Sequence, residues 1–121
     1  MIKNINALDC FETLKNNNNA RLIDVRTPEE WENDGYPDLS SIDKKTYLVS
    51  WGNDNFLDEI KKLNFGIDET IFFICRSGSR SWHAIEYLNH NIKTKKLFNV
   101  EGGIEIGWKI YSLPIKKNIS T

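Results

Sequence analysis

The chain has 121 residues, 40% of them hydrophobic, which places it in the size range of one domain with a core of its own. Lys and Arg total 16 against 17 Asp and Glu, a balance that leaves no broad field of one sign for nucleic acid or an anionic membrane surface. The longest apolar run, around Ile71 to Cys75, is far too short to span a bilayer, and Met1-Ile2-Lys3-Asn4 lacks a signal peptide's apolar stretch. A soluble, cytoplasmic protein is expected, folded as a single domain over 1–121, with 115–121 as a polar, flexible tail.

Asn6 is placed to cap a first helix whose Leu8, Phe11 and Leu14 share roughly one face, and the Asn16 to Asn19 run ends it in a polar turn. Arg21 to Val25 is a short apolar strand. Thr27-Pro28-Glu29-Glu30 follows with a cap residue, Pro at the first helical position and Glu at the third, so a helix starts there. Gly35 to Lys45, with Pro37, two serines and several charges, reads as an exposed loop before the strand Thr46 to Ser50. Phe56, Ile60 and Leu63 recur at helical spacing from Asp54 onward, with Lys61 and Lys62 at the end where the helix dipole favours cations, and Gly66 stops that helix. Thr70 to Ile74 is apolar on consecutive positions, the pattern of a central parallel strand buried on both faces, and it delivers Cys75 to its C-terminal end. Trp82, Ala84, Ile85 and Leu88 mark another helix, and Lys96 to Val100 a last strand before Gly102-Gly103. Strands alternating with helices give an α/β class, a mostly parallel sheet with helices on both faces, in which ligands bind at the carboxyl ends of the strands.

Two cysteines in a chain without an export signal are expected to stay reduced. Cys10, Cys75, His83 and His90 show none of the paired spacings of zinc sites, so no metal or other cofactor is expected. Cys75-Arg76-Ser77-Gly78-Ser79-Arg80 is different from ordinary loop sequence. Small residues and Gly78 let the backbone curl into an anion-binding nest, the following helix adds its dipole, and Arg76 and Arg80 add charge. A thiolate at the centre is stabilised there and needs no histidine base. A cysteine that merely packs would not call for these neighbours. Cys10, without basic residues around it, reads as a core thiol, with a resolving or redox role as the alternative.

The segment Cys75 to Ser81 resembles the active-site loop of the rhodanese family. Leu22 to Trp31, Asn99 to Gly103, and Trp108-Lys109 running to Leu113-Pro114 resemble further family motifs in the family's order. The resemblance implies a rhodanese-like three-layer fold with a central five-stranded sheet. It implies a sulfurtransferase in which Cys75 carries sulfur as a persulfide, taken from a small anionic donor such as thiosulfate and passed to cyanide, a thiol or a protein acceptor. Arg76, Ser77, Gly78, Ser79 and Arg80 would hold donor and persulfide. Asp24 and Arg26 would support the site from a neighbouring strand end, or form a plain structural ion pair. His83 and His90 read as surface residues. The tryptophans read mostly as core anchors, with Trp51 as an alternative pocket wall. Lys93, Lys95 and Lys96 read as a solvated turn.

Two other functions are weighed. A phosphatase or arsenate reductase of the same fold would need a longer loop, with five residues between Cys and Arg rather than the four between Cys75 and Arg80, and an acid to protonate a leaving alcohol. A regulatory or sulfur-carrier module acting through a protein partner remains the alternative to small-molecule turnover. Gly35 to Lys45 departs from the family pattern and weakens substrate inference there.

Overall fold

A computed structural model describes residues 2–94 and 96–117. In chain order it contains β1 (Lys3–Ile5), α1 (Ala7–Asn16), β2 (Ala20–Asp24), α2 (Pro28–Asp34), β3 (Tyr36–Pro37) and β4 (Thr46–Leu48). Then come α3 (Phe56–Lys62), β5 (Thr70–Ile74), α4 (Ser79–Leu88), β6 (Leu97–Val100), a wide helical segment Gly103–Trp108, and β7 (Ile115–Lys116). Five strands make one parallel sheet in the order β1-β6-β5-β2-β4. The five-stranded sheet with helices on both faces agrees with the expectation, and it is parallel throughout rather than mostly so.

The unbroken apolar run of β5 is explained by its place between β6 and β2. Ile71, Phe73 and Cys75 face α3 and α4 with Ile23, Phe56, Ile60, Ala84, Ile85 and Leu88. Phe72 and Ile74 face the other layer, with Ala7, Cys10, Leu14, Ile104 and Trp108. Each of these buried large side chains contributes about 1.5–3 kcal/mol by leaving water, and the two half-cores fix which face Cys75 inherits.

Several local expectations hold in detail. Asn6 caps α1 by accepting from the Asp9 amide at 2.8 Å, and Thr27 with Glu30 forms a reciprocal capping box at α2. Others need correction. The buried stripe of α1 is Ala7, Cys10 and Leu14, while Leu8 is exposed. Trp82 is also exposed and lies edge-on to His83, and of the four tryptophans Trp108 alone is fully buried, donating from Nε1 to the Pro114 carbonyl at 2.8 Å. Trp51 packs against Phe56 and Tyr87.

The largest departures concern Gly35–Lys45 and the tail. Leu39 is buried in the core, a short 3-10 turn covers Ser40–Ile42, and β3 pairs antiparallel with β7, Tyr36 opposite Lys116 and Pro37 opposite Ile115. So this stretch is not an exposed loop, and residues 115–116 are not a loose end. Polar residues between Pro37, Leu39 and Ile42 mask the apolar spacing, and a proline is tolerated in a two-residue edge pair where little ladder bonding is asked of it. Gly35, at φ 77°, lets the two segments meet: a Cβ there would lie 2.6 Å from the Lys116 carbonyl oxygen. Residues 118–121 of the expected tail, and Lys95 of the basic turn, lie outside the described residues.

Candidate active site

The parallel sheet gathers the C-terminal ends of β2, β5 and β6 at one end of the molecule, and Cys75 is the first residue beyond β5. It is buried, and its Sγ accepts the Gly78 N–H at 3.1 Å and lies 3.2 Å from Ser81 Oγ. Gly78 turns the chain into α4 with φ 105°, a conformation that side-chain-bearing residues rarely adopt. The ten-residue α4 therefore begins beside the sulfur, with the positive end of its dipole toward it.

Gly102-Gly103 explains how the loop keeps its shape. The Ile104 and Glu105 amides donate to the carbonyls of Cys75 and Arg76 at 2.9 and 3.0 Å. Because a trans peptide sets its C=O and N–H on opposite sides, these bonds turn the Arg76 and Ser77 amides away from the Gly103–Glu105 backbone. Gly103 has no room for a side chain: a Cβ would collide with the Cys75 carbonyl oxygen and lie 2.6 Å from the Arg76 carbonyl carbon.

Behind the sulfur runs a buried polar chain that periodicity alone does not suggest. Ser81 Oγ donates to Asn99 Oδ1 at 2.5 Å, while Asn99 Nδ2 donates to the Gly78 carbonyl at 3.2 Å and to Asn4 Oδ1 at 3.1 Å. The two amide donors fix which end of Asn99 faces Ser81. The hydroxyl's one proton is thus committed to Asn99, and its lone pairs face Sγ, an arrangement in which the thiol form of Cys75 donates. On ionisation the same hydroxyl can rotate and donate to the thiolate. In the sequence Asn99 opens the Asn99 to Gly103 motif with no role of its own, and the structure shows it as a buried amide in an otherwise apolar strand.

Of the three arginines at the site, two are paired with carboxylates. Asp24 and Arg26 are fully buried: Arg26 Nη2 lies 2.8 Å from Asp24 Oδ2, the Arg26 amide donates to Oδ1 at 3.0 Å, and Nη2 also donates to the Gly35 carbonyl at 2.6 Å. Arg80, half-buried, makes a fork-on-fork pair with Glu30, Nη1 to Oε1 at 2.6 Å and Nη2 to Oε2 at 2.9 Å. The Arg80 hydrogen bond, helped by the Thr27 amide, holds the Glu30 carboxyl down at about 2, and the same bond raises Arg80, with smaller contributions from the charges of Cys75 and Asp24. Glu105 is lowered by its bond to Lys109 at 3.0 Å, and more weakly by Arg76 and Arg26 nearby. Arg76 is exposed and makes no ion pair among the described residues.

The structure thus sets Gly78 against the Cys75 sulfur, and holds Asp24 and Arg26 as a buried pair at the end of the neighbouring strand. Ser77 and Ser79 are exposed on the loop, and Arg80 is turned to Glu30. Ser81, Asn99, Asn4 and Glu30 join the site without having been assigned to it from sequence. His83 is exposed on α4, and Cys10 lies in the opposite half-core, where burial pushes its thiol up. Chemically, the arrangement can stabilise negative charge on the Cys75 sulfur through the Gly78 amide and a helix N-terminus.

Comparison with known proteins agrees with this geometry. Residues 7–109 match the rhodanese-like domain. The chain is 40% identical over 120 residues to the uncharacterized protein RP600 of Rickettsia prowazekii, covering 94% of this chain and 97% of that one. It is 29% identical over 115 residues to a protein of Allochromatium vinosum named a sulfurtransferase, covering 95% of each. Among solved structures, Rv0390 of M. tuberculosis superposes with a TM-score of 0.85 at 33% identity, over 96% of this chain and 98% of that one. Sequence motifs, sheet order and the cysteine loop lead to one assignment: the chain belongs to the rhodanese-like family.

Proposed function

We propose that the protein is a sulfurtransferase that carries sulfane sulfur as a persulfide on Cys75. The observation that carries this reading is the Cys75 Sγ itself, buried at a strand end, accepting the Gly78 amide and facing the start of α4. In the first half-reaction the Cys75 thiolate attacks the outer sulfur of a donor, thiosulfate being the simplest. The sulfur–sulfur bond of the donor breaks, its electron pair leaves with sulfite, and Cys75 holds an S–S⁻ group. In the second, a nucleophilic acceptor such as cyanide, a small thiol or a protein thiol takes that outer sulfur and returns the thiolate.

The Gly78 amide and the α4 dipole stabilise the anion on both sides of the cycle, as an oxyanion hole stabilises its charge. Ser81 supplies a donor that can turn toward sulfur once Cys75 is ionised. Arg76, the cation at the loop that makes no ion pair among the described residues, attracts the donor. Phosphoryl transfer has less support, because Arg80, the residue that would grip phosphate, is occupied by Glu30.

The test is the intact mass of reductant-free protein before and after thiosulfate. Gain of one sulfur atom, reversed by cyanide and absent from Cys75→Ser, is the expected result. No gain from thiosulfate or from any other sulfane donor would remove the reading.

A further inference from the structure

The charges around Cys75 point to the kind of donor it takes, on the reading that Cys75 carries sulfur. Three arginines surround the loop, a number that suggests a strongly cationic pocket built for a dianion. The pairs cancel most of that field. Arg26 is matched by Asp24, Arg80 by Glu30, and Glu105 nearby by Lys109. One cation, Arg76, remains without a partner among the described residues. A thiolate meeting thiosulfate assembles three negative charges against that one, whereas a thiolate meeting a hydropersulfide assembles one or two.

Glu30 is the member of this set whose position is hardest to explain as scaffolding. Its capping duty at α2 needs a side-chain acceptor for the Thr27 N–H, and glutamine meets that need as well as glutamate does. The full carboxylate matters to Arg80, 50 residues away, which it grips with both oxygens. Arg80 in turn stands in the first turn of α4, beside the cysteine loop, where the charge of Cys75 acts on it.

We infer that Glu30 is a specificity-determining residue: by holding Arg80 it tunes the Cys75 site to sulfane donors of low charge, the hydropersulfides of thiols, over dianionic thiosulfate. The transfer is balanced without any further reagent. The Cys75 thiolate bonds to the outer sulfur of R–S–SH, the donor's S–S bond breaks with its electron pair on the departing R–S⁻, and the proton passes to that thiolate. Cys75 persulfide and R–SH are the products.

Single-turnover loading of Cys75, followed by mass, tests the inference with two probes, thiosulfate and 2-hydroxyethyl hydropersulfide, at low and moderate salt. Glu30→Gln keeps the cap and the shape but deletes the charge. The ratio of thiosulfate to hydropersulfide loading rates is expected to rise about tenfold in this variant, with a steeper salt dependence for thiosulfate alone. Arg80→Gln, which leaves Glu30 unneutralised, is expected to lower the same ratio. A ratio that stays fixed in both variants, while both donors load the wild type, overturns the assignment of Glu30 and leaves the sulfur carrier standing. Failure of both donors to load the wild type overturns the sulfur carrier and this inference together. A ratio is independent of how much of each variant is active, so a purely structural loss does not imitate the expected result.

Discussion

The molecule holds two buried cysteines, and their surroundings could hardly differ more. Cys10 lies on α1 among Ala7, Leu14 and the apolar face of β5, where burial alone acts on it and favours the neutral thiol. Cys75 is as deeply buried, yet its sulfur meets an amide, a hydroxyl and the end of a helix. Burial therefore does not make a thiol inert or reactive; what fills the space around sulfur decides it. The same sheet supplies both environments, since residues 72 and 74 face one half-core and residue 75 continues the other.

The sharpest way to test that contrast is to remove each sulfur in turn. Cys75→Ser is expected to abolish sulfur loading from every donor, while Cys10→Ala keeps loading, both read by intact mass. Loss of loading in the Cys10 variant, in folded protein, would break the contrast. Next in size are the supports. Asp24→Ala strands the Arg26 guanidinium in the interior and is expected to cost about 3–5 kcal/mol in denaturant unfolding, whereas Cys10→Ala should cost only about 1 kcal/mol for a small lost volume.

These two supports differ also in how visible they were. Strand and helix alternation, the Thr27 capping box and the Cys75 loop were all legible, because each is written in neighbouring residues. Asp24 and Arg26 were named with two roles open, and the structure places them together as a buried pair under Gly35. What stayed hidden depends on distant residues meeting. Asn4 reaches Asn99 across 95 positions and Glu30 reaches Arg80 across 50, and no local pattern announces either. The β3–β7 pair was hidden for the same reason: each strand is two residues long and means something only beside the other. β1, three residues at a sheet edge with its side chains largely exposed, carries too little apolar pattern to be read.

Smaller effects refine the picture of the Cys75 environment. Ser81→Ala removes the hydroxyl that can turn toward sulfur, and the single-turnover loading rate is expected to fall about tenfold, the worth of one hydrogen bond to a charged group. An unchanged rate would show that the Gly78 amide and helix end suffice. The smallest effect is in acid. Glu30 is held at about 2 against an ordinary 4.5, so its bond to Arg80 stabilises the fold fully above pH 4.5 and loses that contribution as pH falls toward 2. Both side chains are partly open to solvent, so the contribution is expected to be under about 1 kcal/mol, read as the difference between wild type and Glu30→Gln in unfolding at pH 7 and pH 3.

The backbone clasp on the cysteine loop has a consequence for synthesis. The carbonyls of Cys75 and Arg76 are held by the amides of Ile104 and Glu105, and β1, although made first, waits for β6 as its partner. A nascent chain that has just delivered the cysteine therefore has neither the clasp nor a finished sheet. The Cys75 thiol exists for a time as an ordinary one, and its special surroundings close over it only after residue 105 has emerged.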